Sequence, residues 1–388
     1  MRITSIQVRN FKSLVDFQIS LEKFSCLIGL NGVGKSTVLQ FIDFLSHLVR
    51  GDTEAWLEER KWKPADLKSK LTRKLNIDFT VTFEEENNPL PAYWKATYNP
   101  RLNRCTEESF VSLAFTLATN KGAVEISHLL SAPKAHEIVF DYSGSILSAL
   151  KEDLLPDEAL NWKRYFEKLS SLDLLSPEYL RQRTRDSFRT LGLGGKNLAS
   201  MIHDMDHGKV HQLYHTLKSV YPSLLGLHAK SLPSGWKQLE ISESFAGRES
   251  GLLPSMGTQA RHINDGMLRL IAIFAQLQSE NQFLLFDEIE NGINPEVVEF
   301  VMDRLVHAAQ QILVTTHSPM ILNYLDDDVA KNGVIYLYKT NEGHTKSIPF
   351  FSIPSLAEKL TMMGAGEAFI DTDLTHLSDE IERLTEAK

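Results

Sequence analysis

Three short stretches hold residue types whose spacing could do chemistry on a phosphate. The first is Gly29-Leu30-Asn31-Gly32-Val33-Gly34-Lys35-Ser36, a complete G-x4-G-K-S pattern. Its glycines let the backbone curl so that several N–H groups point inward at phosphate oxygens. Lys35 is placed to reach the β- and γ-phosphates, and the Ser36 hydroxyl to hold Mg²⁺. The candidate nucleotide contacts are therefore Asn31, Gly32, Val33, Gly34, Lys35, Ser36 and Thr37. The second stretch is Asp287-Glu288, which ends the apolar run Phe283-Leu284-Leu285-Phe286. Asp287 is placed to hold Mg²⁺ directly or through water. Glu288 is placed to orient and polarise an attacking water. The third is His317, which follows the apolar run Ile312-Leu313-Val314 and can donate a hydrogen bond to a γ-phosphate. An Asp-Glu strand end or a loop histidine is ordinary by itself; beside a phosphate loop the two gain meaning. Lys35, Glu288 and His317 are the candidate catalytic residues, with ATP and Mg²⁺ as cofactors.

These groups need elements that hold them at one edge. Phe24-Ser25-Cys26-Leu27-Ile28 reads as a buried strand running into the phosphate loop, and 36–48 as a helix whose N-terminus faces the phosphates. Buried strands over 283–286 and 311–316 deliver the acids and the histidine to their C-terminal ends, where ligands sit in open α/β sheets. Helices are expected over 265–279 and after Pro295, with a final strand pair at 333–339 and 344–350. Strands at 3–9 and 15–21 flank Asn10-Phe11-Lys12-Ser13. Alternation at 77–83, 93–98, 110–116, 123–127 and 137–142 predicts an antiparallel, half-buried meander. Near Ser145 the spacing turns helical and stays so to about Leu227, with Ser176-Pro177 as a helix start. The predicted domains are 1–144, the first part of the core; 145–227, a helical insertion; 228–352, the second part of the core; and 353–388, a helical tail.

A hydrophobic fraction of 43% and a charged fraction of 23% over 388 residues are those of a globular chain. No apolar run is long enough to cross a bilayer, and the N-terminus alternates like a strand rather than a signal peptide. Cys26 and Cys105 give neither a disulfide framework nor metal spacing. A cytoplasmic location is expected. The net charge of −9 argues against a surface coated with nucleic acid.

The order of phosphate loop, long insertion, Asp265-Gly266, Asp287-Glu288, Asn294-Pro295 and His317 resembles that of ATP-binding-cassette (ABC) ATPases. Within them the chain resembles the soluble branch holding RecF, SMC and OLD-family proteins. The opening Ile6-Gln7-Val8-Arg9-Asn10-Phe11-Lys12-Ser13-Leu14 is similar to that branch's first strand and turn. Asp287-Glu288-Ile289-Glu290-Asn291-Gly292-Ile293-Asn294-Pro295 is close to the OLD-like Asp-Glu-x-Glu-x-Gly-x-His-Pro stretch. The resemblance implies an α/β fold: an ABC-type P-loop core with an antiparallel β subdomain and a helical insertion. It implies a head-to-tail homodimer around two ATP, or a higher oligomer, with Lys12 and Ser13 touching nucleotide in cis. Asn264, Asp265 and Gly266 would form the signature that meets the partner's nucleotide. Asn264 stands where the family has Ser, and Asn294 where it has Asp or His. No glutamine matches the loop that links ATP to the lever domain. The resemblance further implies a slow ATPase acting as a conformational switch on a separate effector, a nuclease or toxin, as in bacterial antiphage systems, with 145–227 as the partner- or trigger-binding part. A RecF-like ATPase that binds DNA in repair is the alternative, and a transporter subunit is disfavoured by the meander and the large insertion.

Other patterns stand outside that scheme. His203, His207, His211 and His215 recur at i, i+4. On one continuous helix they would form a ridge able to bind metal or sense pH, or else a solvated polar face. Arg181, Arg185 and Arg189 share a helical spacing suited to phosphates, to an acidic partner or to solvent. Leu377, Ile381 and Leu384 predict a C-terminal helix packed on the core. Asp371-Thr372-Asp373 is too close to the end of the sequence for the spread of residues a TOPRIM nuclease site needs.

Overall fold

The computed structural model describes residues 1–388 except 86–87, 89, 121, 129–133, 139, 173–174, 189, 245–255, 375–376, 378–379 and 382–388. Its centre is a six-stranded sheet in the order Leu169–Leu172, Phe283–Phe286, Gln311–Thr315, Phe24–Ile28, Val334–Lys339, Thr345–Pro349. All neighbours are parallel except the last pair. The central strands are apolar throughout because both faces are covered, the pattern of a buried parallel sheet. Period two still sorts them. Leu284, Phe286, Ile312 and Val314 face one core, and Phe283, Leu285 and Leu313 face the other.

On the second of those faces lies the helix Lys35–Arg50, which follows the phosphate loop. Most of its apolar residues are buried because it is sandwiched: Phe41, Phe44 and Leu45 share one core with Leu285 and Leu313 from below and Phe79 and Trp94 from above. The cover is an eight-stranded antiparallel sheet in the order Leu14–Ser20, Arg2–Phe11, Ile77–Glu84, Ala92–Asn99, Arg104–Val111, Phe115–Asn120, Ala123–His128, Lys134–Glu137. The opposite face of the parallel sheet packs on the helices Asp265–Leu277 and Pro295–Val306. A small antiparallel sheet, Leu224–Ser231, Lys237–Glu243 and Met256–Gln259, adjoins them.

The α/β architecture is the expected one, with three local corrections. The alternating run at 110–116 is two strands with a turn between them. Ser112 closes that turn by accepting from the N–H groups of Ala114 and Phe115 at 3.1 and 3.2 Å. The last meander strand covers Lys134–Glu137 rather than 137–142. The stretch 145–227 is not purely helical and does not start a separate packing unit. In the helix Asp157–Glu167, Trp162 and Phe166 sit edge-on to Phe83 at 4.9 and 5.5 Å, inside the antiparallel core. The strand Leu169–Leu172 then pairs with Phe283–Phe286, Leu172 opposite Phe286. Only beyond it do Leu175, Leu180, Leu198, Ile202, Leu213 and Leu217 join the core on the far side of the sheet. The sequence Leu-Ser-Ser-Leu has no apolar alternation to announce a strand; its neighbour recruits it to the sheet edge.

The C-terminal helices Pro354–Leu360 and Ala365–Ile370 fold back on the core, and Leu377 and Ile381 are buried there as expected. Leu384 lies outside the described residues. Among the described residues no helix is long and apolar enough to cross a membrane.

Candidate functional site

The phosphate loop leaves Phe24–Ile28 through Gly29, whose φ of 142° places its Cα against the Leu337 carbonyl; a Cβ there would stand 2.3 Å from that oxygen. Gly34, at φ 111°, is pressed onto Thr345, which would meet a Cβ at 2.7 Å. Both positions therefore demand glycine. Thr345 donates to the Val33 carbonyl at 2.7 Å and lies 2.9 Å from the Ser13 hydroxyl. Ser13 thus braces the loop from beneath. The loop's outer rim, Asn31, Gly32 and Ser36, is exposed, and Thr37 half-buried.

Lys35 is buried and folded back, donating to the carbonyls of Gly29 at 2.8 Å and Leu30 at 3.3 Å. Burial pulls its pKa down, opposed by the fields of Asp287, Glu288 and Glu290. Its ammonium also reaches His317 Nδ1 at 3.4 Å. An ammonium can only donate, so a hydrogen bond there has Nδ1 as its acceptor and leaves Nε2 as the ring's available donor. That nitrogen lies 4.0 Å from Glu288 Oε1. The three residues expected to be catalytic therefore converge at one sheet edge.

Two residues the sequence reading passed over hold that edge. Thr315 ends the strand beside Phe283–Phe286. Its hydroxyl donates to Asp287 Oδ1 at 2.6 Å and accepts from the Glu288 N–H at 2.8 Å. Glu290 Oε1 accepts from the N–H groups of His317 and Ser318 at 2.8 and 3.1 Å, pinning the histidine loop to the acidic segment. Its buried Oε2 has no partner. Glu288 itself has φ 48°, a left-handed conformation costing a non-glycine residue about 1 kcal/mol or more. The two latches hold it there. The carboxylate of Asp287 and the hydroxyl of Ser36 are hard oxygen donors of the kind Mg²⁺ takes, so the residues fit that ion.

Lys12 has φ 47° and turns away from the loop. It stacks over the Trp62 ring at 3.2 Å from the centroid and donates to Gln40 at 2.8 Å. The turn is anchored by buried Asn10, which donates to the carbonyls of Lys74 and Asn76 at 3.1 and 2.7 Å.

The segment Asn264-Asp265-Gly266 opens the 13-residue helix Asp265–Leu277. Asn264 caps it, its side-chain oxygen accepting from Met267 N–H at 2.8 Å. That leaves the amide NH₂ of Asn264 pointing out from an exposed helix N-terminus, so an asparagine can offer a donor where serine would offer a hydroxyl. Asn294 likewise caps Pro295–Val306.

The histidine ridge does not form. Met205 and Asp206 separate the helices Leu198–Asp204 and His207–Val220. Asp206 caps the second by accepting from Gly208 N–H. His203 is bonded to Asp204 and Ser231 at 2.8 and 2.9 Å, whereas His211 and His215 face each other at 3.1 Å. Among the described residues Arg181 and Arg185 do not share a helical face. The helix Pro177–Leu180 ends before Arg181, Arg185 lies beyond it and Arg189 is outside the described residues. Asp371 is ion-paired to Lys359 at 3.0 Å. Among the described residues no cluster of His, Cys, Asp or Glu is arranged to hold a metal.

Two family models match the chain where the site is built. An AAA ATPase domain model covers residues 1–168, and one described as "AAA domain, putative AbiEii toxin, Type IV TA system" covers 256–323. The chain is an ABC-type P-loop ATPase of the branch that holds SMC, RecF and OLD proteins. It is 34% identical to structural maintenance of chromosomes protein 1 of Schizosaccharomyces pombe over 99 residues, 25% of this chain and 7% of that protein. It is 33% identical to the OLD nuclease of Thermus scotoductus over 102 residues, 26% of this chain and 17% of that protein. The chain thus spans a small part of the relatives it matches. A solved SMC head bound to the C-terminal winged-helix domain of ScpA shares the fold with TM-score 0.55 at 14% identity, over 90% of this chain and 97% of that one.

Proposed function

We propose that this ATPase binds ATP with Mg²⁺ and hydrolyses it slowly as a head-to-tail homodimer, and that the dimer's opening and closing controls a separate effector. The observation that carries the reading is the convergence of Lys35, His317 and Glu288 within 4.0 Å steps at one edge, beside Asp287 and an exposed phosphate loop. Lys35 would leave the Gly29 carbonyl for the phosphates. Ser36 and Asp287 would hold the Mg²⁺, whose charge would neutralise the phosphate oxygens. Glu288 would take a hydrogen bond from the attacking water, and His317 Nε2 would donate to the γ-phosphate. The signature of each subunit, Asn264, Asp265 and Gly266, would cover the other's nucleotide with helix N–H groups and the Asn264 amide. Lys12 would swing from Trp62 to the nucleotide.

The output is proposed to be conformational, passed to a nuclease or toxin in antiphage defence within the cytoplasm. The matched model's description, a putative toxin of a Type IV TA system, supports a place in a system of that kind rather than the identity of the effector. The stretch 145–227 would receive the partner or trigger. The test is a pull-down of tagged Glu288→Gln protein, co-expressed with its native neighbouring genes and kept in ATP and Mg²⁺. A stoichiometric nuclease-like or toxin-like protein is the expected result. DNA alone, lost at moderate salt, would replace this reading with the repair ATPase.

A further inference from the structure

Arg269 lies one turn into the signature helix, four residues after Asp265. It is half-buried, and its Nε is enclosed with no hydrogen-bond partner. The side chain packs against Gly292, whose φ is 70° and where a Cβ would stand 3.0 Å from that Nε. Gly292 belongs to the segment that follows the catalytic acids. Arg269 also lines one small cavity with Asp287, Glu288 and Asn291. Within that group Glu288 already accepts from Asn291 Nδ2 at 3.3 Å. A guanidinium with an unmet donor therefore stands beside the carboxylate expected to order the water. An orphaned buried donor is costly unless some state of the protein uses it.

Two carboxylates compete for that cation. Asp265 and Glu288 are the acids whose fields act on Arg269. Asp265 is in turn held by Arg181, which donates to its carboxylate and, at 2.8 Å, to the Ile263 carbonyl. Arg181 follows the helix Pro177–Leu180, and Leu175, two residues before that helix, lines the same cavity. The other charges around Glu288 are Lys35, His317, Asp287 and Glu290.

We propose that Arg269 is a positioning residue for Glu288, and that the Arg181–Asp265 ion pair decides whether Arg269 is free to play that part. With Arg181 in place, Asp265 is neutralised and Arg269 turns to Glu288, fixing the carboxylate rotamer. Without Arg181, Asp265 draws Arg269 along the helix face at i, i+4 and Glu288 loses its support. A partner that shifts the 175–181 segment would thereby set the hydrolysis rate. The inference rests on the role given to Glu288 above.

The test is ATP hydrolysis by the full chain, read as kcat and KM for ATP separately. Arg269→Gln lowers kcat roughly ten- to a hundredfold with KM unchanged, the scale of a misplaced catalytic group, and Arg269→Lys recovers part of it. Arg181→Ala lowers kcat in the native background and costs nothing further in an Asp265→Asn background. A merely structural arginine would not show that dependence. A fall of the same factor in both backgrounds, or an Arg269→Gln variant altered in KM alone, overturns the proposal. If Arg269→Gln does not fold, the Arg181 and Asp265 cycle decides alone. Glu288→Gln is the control: undiminished turnover there removes the role of Glu288, whereas slow turnover with an additive cycle removes this inference only.

Discussion

The chain encloses carboxylate oxygens in two settings, and they are treated in opposite ways. In the antiparallel core Glu108 is fully enclosed and fully met: it accepts from Trp94 Nε1 at 2.8 Å, Ser145 Oγ at 2.6 Å and Ile146 N–H at 2.8 Å. At the parallel-sheet edge Glu290 keeps a buried oxygen without a donor, and Arg269 a buried donor without an acceptor. Among the described residues the other two orphaned buried side-chain atoms, on Thr184 and Gln259, also lie on the signature side, and none lies in the eight-stranded antiparallel sheet. Glu288 adds backbone strain to the same edge. One sheet has its polar groups settled at folding; the other keeps hydrogen-bonding capacity and strain in reserve, as sites that bind a ligand do.

The largest expected effect is at the edge. Lys35→Ala removes the ammonium from the loop and should abolish tight ATP binding, measured by calorimetry, with little change in unfolding midpoint. Loss of stability without loss of affinity would mean that Lys35 belongs with the settled groups. The core offers the complementary case. Trp94→Ala deletes a fully buried indole and should destabilise by about 3–5 kcal/mol in urea unfolding.

Glu108 sharpens the contrast through pH. Burial pushes its pKa up to about 7, against the three hydrogen bonds that lower it. The folded state then holds the proton more tightly than the unfolded chain. This contribution to stability is complete below about pH 4.5 and is lost as pH rises through about 7, on the order of 3 kcal/mol in all. Glu108→Gln should flatten the pH dependence of unfolding between those values; an unchanged slope would place the titration elsewhere.

Thr315→Val removes the latch shared by Asp287 and the Glu288 N–H. Turnover should fall roughly tenfold, since an unmet N–H there costs about 1–3 kcal/mol. The smallest change expected is from Glu290→Gln, which keeps an oxygen for the His317 and Ser318 N–H groups; kcat should move by less than about threefold.

The difference between the two regions was only half legible in the sequence. The phosphate loop, the acids after Phe286 and the histidine after Val314 announce themselves because each is a local pattern ending a buried strand. The latches do not. Thr345 meets Ser13 across 332 residues of chain, and Thr315 serves Asp287 from the neighbouring strand. Their roles come from sheet order, which no local spacing encodes. Leu169–Leu172 was hidden for the same reason, and nothing in the spacing around Arg269 marks it out. The histidine ridge was conditional on one continuous helix, and Asp206 caps a new one, which leaves the reading of a polar face.

The most direct test of the account is single-turnover hydrolysis by Glu288→Gln protein loaded with ATP and Mg²⁺. The account predicts ATP still bound, cleavage slower by at least roughly a hundredfold, and the closed dimer accumulating on size exclusion. Cleavage at the native rate would contradict it, and would show that the strained carboxylate at the sheet edge does not order the water.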